Sequence, residues 1–203
     1  MAPADDTDQR KAFWRALRAR HPRLRDALVA DARVTARFRG ERGEFRSGLD
    51  AATQIVRLAW VSDAYLALAA YRVKARLQAR GVPLLPRLAH RFAMAFAQVS
   101  IGDPVVMQPG IYVLHGQIVI DGLVEVHPGV AIAPFVTIGL RAGEPRGATI
   151  ERDVSIGTGA KVIGPVTIGA GARIGANAVV VDDVLPGATV VGAPARPVAV
   201  RVP

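Results

Sequence analysis

Four side chains suit proton transfer near neutral pH: His21, His90, His115 and His127. A histidine with its ordinary pKa of about 6.5 is mostly neutral at pH 7 and can take the proton of an attacking hydroxyl. The chain has no cysteine, which excludes a thiolate nucleophile, a disulfide framework and any Cys-ligated zinc or iron–sulfur centre. His115 sits beside Gly116 at a break in a repeat and is the candidate general base. His127 stands in an unbroken repeat next to Pro128-Gly129 and reads as a corner residue, while His21 and His90 fall in helical context and read as structural. Two histidines in the repeat region make a poor ligand set, so no metal is expected.

The element that must position His115 is visible as a six-residue beat. Aliphatic residues recur at Ile101, Met107 and Val113, then Ile120, Val126, Ile132 and Ile138, then Ile150, Ile156, Val162, Ile168, Ile174 and Val180. A second small or branched residue follows four places on, at Ala160, Val166, Ala172, Ala178 and Val184. Short strands separated by tight turns, three to a coil of 18 residues, produce this pattern, with the aliphatic residue pointing inward and glycine at the corners. The sequence therefore predicts a parallel β-helix. Its register breaks twice. One residue is inserted at His115-Gly116-Gln117, and ten residues, Leu140 to Thr149, leave the coil. Such breaks are where a solenoid usually places its site.

The first half has the period of helices. Expected helices run from Thr7 to about Arg20, from Pro22 to about Arg39, from Leu49 to Arg80, and over about 84–97, with a loop at 39–44. The fold class is thus α+β: a helical oligomerisation or capping domain over 1–98 and a β-helix over 99–203. Trp14 and Trp60 are expected as core or interface anchors, and Pro186, Pro194, Pro197 and Pro203 dress the far end of the solenoid, whose end coils need capping.

The formal charge of +9 is uneven: residues 1–100 hold 19 Arg and Lys against 9 Asp and Glu, and residues 101–203 hold 7 against 8. Arginine outnumbers lysine 23 to 3, the mark of an Arg-rich coding bias, and no nucleic-acid-binding motif accompanies the charge, so nucleic acid is not an expected partner. Arg57 and Asp63 interrupt one apolar stretch, and Arg87 and Arg91 another, before either reaches the ~20 residues of a membrane span. With an acidic start, Asp5-Asp6, and no apolar leader, a cytoplasmic location away from membranes is expected.

Three stretches carry a family resemblance. Leu66-Ala-Leu-Ala-Ala-Tyr-Arg72, Gly110-Ile-Tyr-Val-Leu-His115, and the run from Ile156-Gly-Thr-Gly-Ala-Lys-Val-Ile-Gly164 to Gly192-Ala-Pro-Ala-Arg196 together resemble the hexapeptide-repeat acyltransferases, and within them the serine O-acetyltransferases. The resemblance implies a left-handed β-helix, an exception to the right-handed crossover rule. It also implies a homotrimer with sites between subunits, joined in the serine family into a dimer of trimers, and acetyl-CoA as co-substrate. His115 occupies the family's catalytic position. Thr158, Gly159 and Ala176 fall where the family lines its pantetheine groove, and Lys161, Arg173 and Arg196 where it meets the CoA phosphates. The related metal-using β-helix enzymes need three histidines, a set not found here.

The departures are specific. The aspartate that orients the family's catalytic imidazole aligns with Ser100, leaving Asp103, three residues on, as the alternative. On the acceptor side, Leu114 replaces an aspartate, Arg146 keeps one member of an Arg-His pair whose histidine is now Gly147, and Asp50 is loosely like an acceptor-side aspartate. An amino-acid acceptor would thus lose partners commonly worth about 1–3 kcal/mol each. The C-terminal tail that docks into cysteine synthase is replaced by Val200-Arg201-Val202-Pro203, and that partner is not expected. The leading expectation is a CoA-dependent O-acetyltransferase acting on a small hydroxyl acceptor. A true serine acetyltransferase and a non-catalytic trimeric scaffold are the alternatives.

Overall fold

A computed structural model describes residues 4–198, with side chains from Thr7 onward; Pro203 and the tail at 200–203 lie outside the described residues. Five helices come first: α1 (Ala4–Ala19), α2 (Leu24–Phe38), α3 (Gly48–Val61), α4 (Asp63–Ala79) and α5 (Leu85–Ala97). The expected single helix over 49–80 is two. Ser62 is extended (φ −139°, ψ 104°), ending α3 and capping α4, where its hydroxyl accepts from the Tyr65 N–H. A serine side chain that satisfies a free N–H competes with helix continuation, and apolar periodicity across the break concealed it.

Fifteen short strands follow among the described residues and stack into three sheets. The first holds β1 (Val99–Ile101), β4 (Ile118–Ile120), β7 (Thr137–Gly139), β10 (Lys161–Ile163) and β13 (Val179–Val180). The second holds β2 (Val106–Met107), β5 (Leu123–Val126), β8 (Arg146–Ile150) and β11 (Thr167–Ile168). The third holds β3 (Tyr112–Val113), β6 (Ala131–Ile132), β9 (Ser155–Ile156), β12 (Arg173–Ile174), β14 (Thr189–Val191) and β15 (Arg196–Val198). All pairings are parallel except β14 with β15, where the chain turns back over the end of the third sheet. From β1 to β13 consecutive strands visit the three sheets in turn, so the chain winds as a three-sided parallel solenoid.

Register confirms the coil length and the breaks. Ile101 lies opposite Ile120, Ile120 opposite Ile138, Ile138 opposite Val162 and Val162 opposite Val180, so successive coils advance by 19, 18, 24 and 18 residues. The six-residue aliphatic positions are buried throughout, and the small second set from Ala160 to Val184 is buried beside them. The excursion is shorter than the sequence suggests. Arg146 already pairs with Leu123 in the ladder, so only residues 140–145 leave the coil. At Gly157 the small residue answers a close approach between coils: a Cβ there would lie 2.7 Å from the Ala176 nitrogen of the next coil, and the sharp left-handed corner falls two places later, at Gly159 (φ 74°).

One buried ionic cluster fastens helices to solenoid. Arg72 on α4 donates to Asp31 on α2 (Nε to Oδ2, 2.9 Å) and to the carbonyls of Met107 and Gln108. Asp31 also accepts from the N–H groups of Gly110 (2.8 Å) and Ile111 (3.0 Å). Both side chains are almost fully buried (Asp31 1%, Arg72 3% exposed), and each of their nitrogen and oxygen atoms that is buried has a hydrogen-bond partner, the condition under which a buried pair is tolerated. Tyr71 adds a bond to the Val105 carbonyl at 2.7 Å. Trp60 is not a core residue; it is 89% exposed. No described helix is long and apolar enough to cross a membrane.

Candidate active site

Each crossing from the third sheet to the first makes a four-residue turn, and these turns stack along one edge of the prism. Residues 114–117, 133–136, 157–160 and 175–178 occupy successive levels. Backbone bonds join them: Phe135 N–H to Gln117 O (2.9 Å), Gly159 N–H to Pro134 O (2.9 Å) and Asn177 N–H to Thr158 O (2.8 Å). The edge thus carries His115 at its helical end, Thr158 and Gly159 two levels on, and Ala176 one level further. At about 4.8 Å per coil, three levels span roughly 14 Å. His115, Thr158 and Ala176 are exposed on this edge, and Arg173 is exposed on β12 of the third sheet.

The His115 turn is pinned by close contact with the last helix. Gly116 packs on the end of α5 so tightly that a Cβ would stand 1.7 Å from the Ala97 carbonyl oxygen, and that same oxygen accepts from the Gln117 N–H at 2.9 Å. Gln98 and Gln117 both adopt left-handed backbone (φ 53° and 63°) at this junction. Between the turn and the helices lies a cavity of about 420 Å³, lined by Leu114, His115 and Gln117, by Phe96 and Gln98, and by Arg39, Ser62 and Asp63. Sequence reading missed Ser62, Asp63 and Arg39. The helix break at Ser62 brings the first two here. The signal was the Ser62-Asp63 pair itself, a capping serine followed by an acidic first-turn residue.

The cavity contains one carboxylate, Asp63, and one guanidinium, Arg39, beside the imidazole. Arg39 is shared with Glu41 (Nε to Oε1, 2.9 Å), and Glu41 is held below the usual carboxylate range by hydrogen bonds from Arg57 and Arg39. Ser62 caps α4 through Tyr65, so the Asp63 side chain is not needed for that bond.

The remaining sequence candidates are placed as follows. Leu114 forms an apolar part of the cavity wall. Ser100 is the half-buried residue of β1, opposite Val119. Asp103 follows β1 on a different edge, between the first and second sheets, and is engaged by Lys74 at 3.0 Å, not by His115; burial pushes the Lys74 ammonium down, opposed by Asp103. Asp50 lies in the first turn of α3 and holds its own loop, accepting from Arg42 (2.9 Å) and the Arg46 N–H (2.8 Å). Arg46's N–H and the Arg42 guanidinium keep its pKa low.

Arg146 and the 140–145 excursion occupy the same edge as Asp103, so one protomer does not bring its two register breaks together. Arg146 grips Glu144 through two bonds, at 3.0 and 2.9 Å, and these push the Glu144 carboxyl down to about 2. Lys161 donates to the Phe135 carbonyl at 2.7 Å and Arg196 to Asp182 at 3.1 Å, whereas Arg173 has no ion pair among the described residues. His127 occupies the third edge, 3.6 Å from Glu125. No group of three metal-ligating side chains occurs among the described residues. His21 lies in the turn between α1 and α2 and not in a helix, with its pKa lowered to about 4 by burial and then by Arg72 and Lys74. His90 is lowered by burial, and next by Lys74.

A three-sided solenoid with an exposed imidazole at one corner defines a class. Residues 147–182 match the bacterial transferase hexapeptide family (six repeats). Two curated relatives narrow this: the serine acetyltransferase of Mycobacterium tuberculosis is 39% identical over 129 residues, covering 62% of this chain and 56% of that protein. That of Helicobacter pylori strain J99 is 34% identical over 134 residues, covering 64% of this chain and 78% of that one. The chain belongs to the serine acetyltransferase family. Among solved structures, Neisseria gonorrhoeae serine acetyltransferase in complex with serine superposes with a TM-score of 0.72 at 27% identity, covering 87% of this chain and 69% of that one. A serine acetyltransferase in complex with CoA gives 0.68 at 26% identity, covering 84% and 68%. The chain nevertheless spans little more than half the length of the Mycobacterium tuberculosis relative.

Proposed function

We propose that the protein is an acetyl-CoA-dependent O-acetyltransferase acting on a small hydroxyl acceptor, with His115 as general base. One observation carries this reading: the solenoid stacks His115 on the same edge as Thr158, Gly159 and Ala176, so a single groove can hold an extended thioester with its reactive end at the imidazole. The small residues of that edge leave room for a pantetheine chain, and backbone turns supply hydrogen-bonding groups beside it. Arg173 is the uncommitted cation for CoA phosphate; Lys161 and Arg196 must exchange a carbonyl and Asp182, both at exposed sites, to join it.

The chemistry follows from the residues. The acceptor hydroxyl gives its proton to the His115 imidazole as its oxygen attacks the thioester carbonyl. The tetrahedral intermediate then breaks its C–S bond, and the departing CoA sulfur takes the proton from the imidazolium. A base so placed typically contributes 10²–10⁴ in rate, and the walls formed by Leu114, Phe96 and the α3–α4 junction orient the acceptor. The groove is open on its outer side, which fits a homotrimer in which the neighbouring subunit closes it.

A serine-type acceptor is the second reading, favoured by Asp63. Leu114 removes an aspartate at the family's acceptor position, and Asp63 restores a carboxylate to the same cavity from the helical side, with Arg39 available for an acceptor carboxylate. The test is product mass spectrometry of acetyl-CoA incubated with L-serine and a panel of amino-free alcohols, using the parent chain and His115→Ala. The expected result is O-acetyl product that falls at least roughly 100-fold in the variant. Full activity in a folded His115→Ala protein overturns the mechanism, and absence of CoA binding by the intact assembly turns the reading to a scaffold.

A further inference from the structure

The largest cavity described, about 900 Å³, lies away from the His115 edge, between α1 and α4. Arg10, Lys11, Arg15 and Arg18 line it from α1, and Arg76 and Arg80 from the end of α4. Among the described residues no carboxylate lines it, and of the six cations only Lys11 has an acidic partner, Asp8 at 3.3 Å. A smaller recess formed by Arg18, His21, Arg72 and Arg76 adjoins it. The positive field extends to that recess: His21 is lowered to about 4, by burial first and then by Arg72, Lys74 and Arg20.

Ordinary solvated arginines spread over a convex face and alternate with acids. Here six exposed cations line one concavity, each repelling its neighbours across the groove. A multivalent anion relieves that repulsion, and guanidinium forks match phosphate oxygens in pairs. The volume is that of a small-molecule pocket. A nucleic-acid surface requires instead a continuous track of phosphate contacts or aromatic platforms. Trp14, half-buried, lines the same groove and offers an apolar flat surface beside the cations.

We infer that the α1–α4 groove is a binding site for a small polyphosphate anion, its phosphate chain held by the arginines of both helices. A nucleoside triphosphate and inorganic polyphosphate share this chemistry. The test is isothermal titration calorimetry of the full chain with ATP and with inorganic tripolyphosphate, at about 0.1 M salt, where remote surface charges are screened. Arg15→Glu/Arg76→Glu and the milder Arg15→Gln/Arg76→Gln are compared with the parent, with thermal melts to confirm folding.

We expect one anion bound per chain, weakened roughly 10- to 100-fold for each phosphate-contacting arginine lost. Tighter binding of ATP than of tripolyphosphate assigns a role to Trp14 and a nucleotide ligand; equal binding assigns inorganic polyphosphate. Absence of binding, binding unchanged in folded variants, or a single-stranded oligonucleotide that displaces ATP at lower concentration overturns the inference.

Discussion

Replacing Gly116 by alanine tests the link between packing and chemistry directly. A Cβ at this position would stand 1.7 Å from the Ala97 carbonyl oxygen and 2.7 Å from its carbon. Ordinary contact between such atoms is no closer than about 3.2–3.5 Å, so the turn must withdraw from α5 by about 1.5 Å. The blocking atoms are backbone, anchored by a helix, and no side-chain rotation relieves them. The Gln117 bond to the same carbonyl is lost in the process, and His115 moves with the turn. Overpacking of this kind costs about 1–3 kcal/mol, while a misplacement of about 1 Å of a catalytic group costs on the order of 100-fold in rate. The expected outcome is therefore a folded protein, melting a few degrees lower, whose kcat/KM for acetyl transfer falls roughly 100-fold. Gly171→Ala is the control: its φ of 70° strains an alanine, but nothing lies within 4 Å of the new Cβ and the site is on another edge, so stability drops and activity does not. Activity within threefold of the parent in Gly116→Ala would refute the claim that α5 positions the base.

Two further outcomes follow from the helical half. Asp31→Asn leaves the Arg72 guanidinium buried without its counter-charge and should cost about 3–5 kcal/mol, lowering the melting temperature by roughly 6–20 °C at 2–4 °C per kcal/mol; Asp31→Leu/Arg72→Met removes the unpaired charge but leaves the Gly110 and Ile111 N–H groups without their acceptor, and should recover little of that loss in a calorimetric melt. His21 predicts a pH effect of definite sign. In the unfolded chain it takes up a proton near pH 6.5, but in the folded chain only near 4, so the unfolded state binds more protons between these values and stability falls as pH drops through that window. The His21→Gln variant should lose melting temperature less steeply than the parent between pH 6.5 and 4, and parallel curves would remove His21 from the account.

The solenoid was legible because its core repeats. Each coil buries chemically similar residues at the same phase, so Ile120, Ile138, Val162 and Val180 announced their stacking before any coordinates. The same beat, counted in threes, contained the information that residues 114–117, 157–160 and 175–178 share one edge while 140–145 lies on another. The two register breaks look equivalent in sequence only because each interrupts the same six-residue beat. Asp103 lies only three residues from Ser100 in sequence, but three residues in a β-helix suffice to turn a corner, and Lys74 meets it there. The α3–α4 break was hidden because alanines and leucines keep a helical period through Ser62, and a single hydroxyl bond to Tyr65 N–H decided otherwise.

The sequence by itself determined the architecture and nominated His115 as the proposed base, since a repeating hydrophobic phase specifies a prism and the family-like segment sets this histidine at its interruption. Only the tertiary structure decided what surrounds that base. The cavity wall of Ser62, Asp63 and Arg39 comes from helices more than fifty residues away in the chain. Helix–solenoid docking draws on the buried Asp31–Arg72 cluster, on the bonds of Tyr71 and Lys74 to the first coil, and on the bare backbone of Gly116. Contacts of that kind have no period, and so leave no pattern to read before the chain is folded.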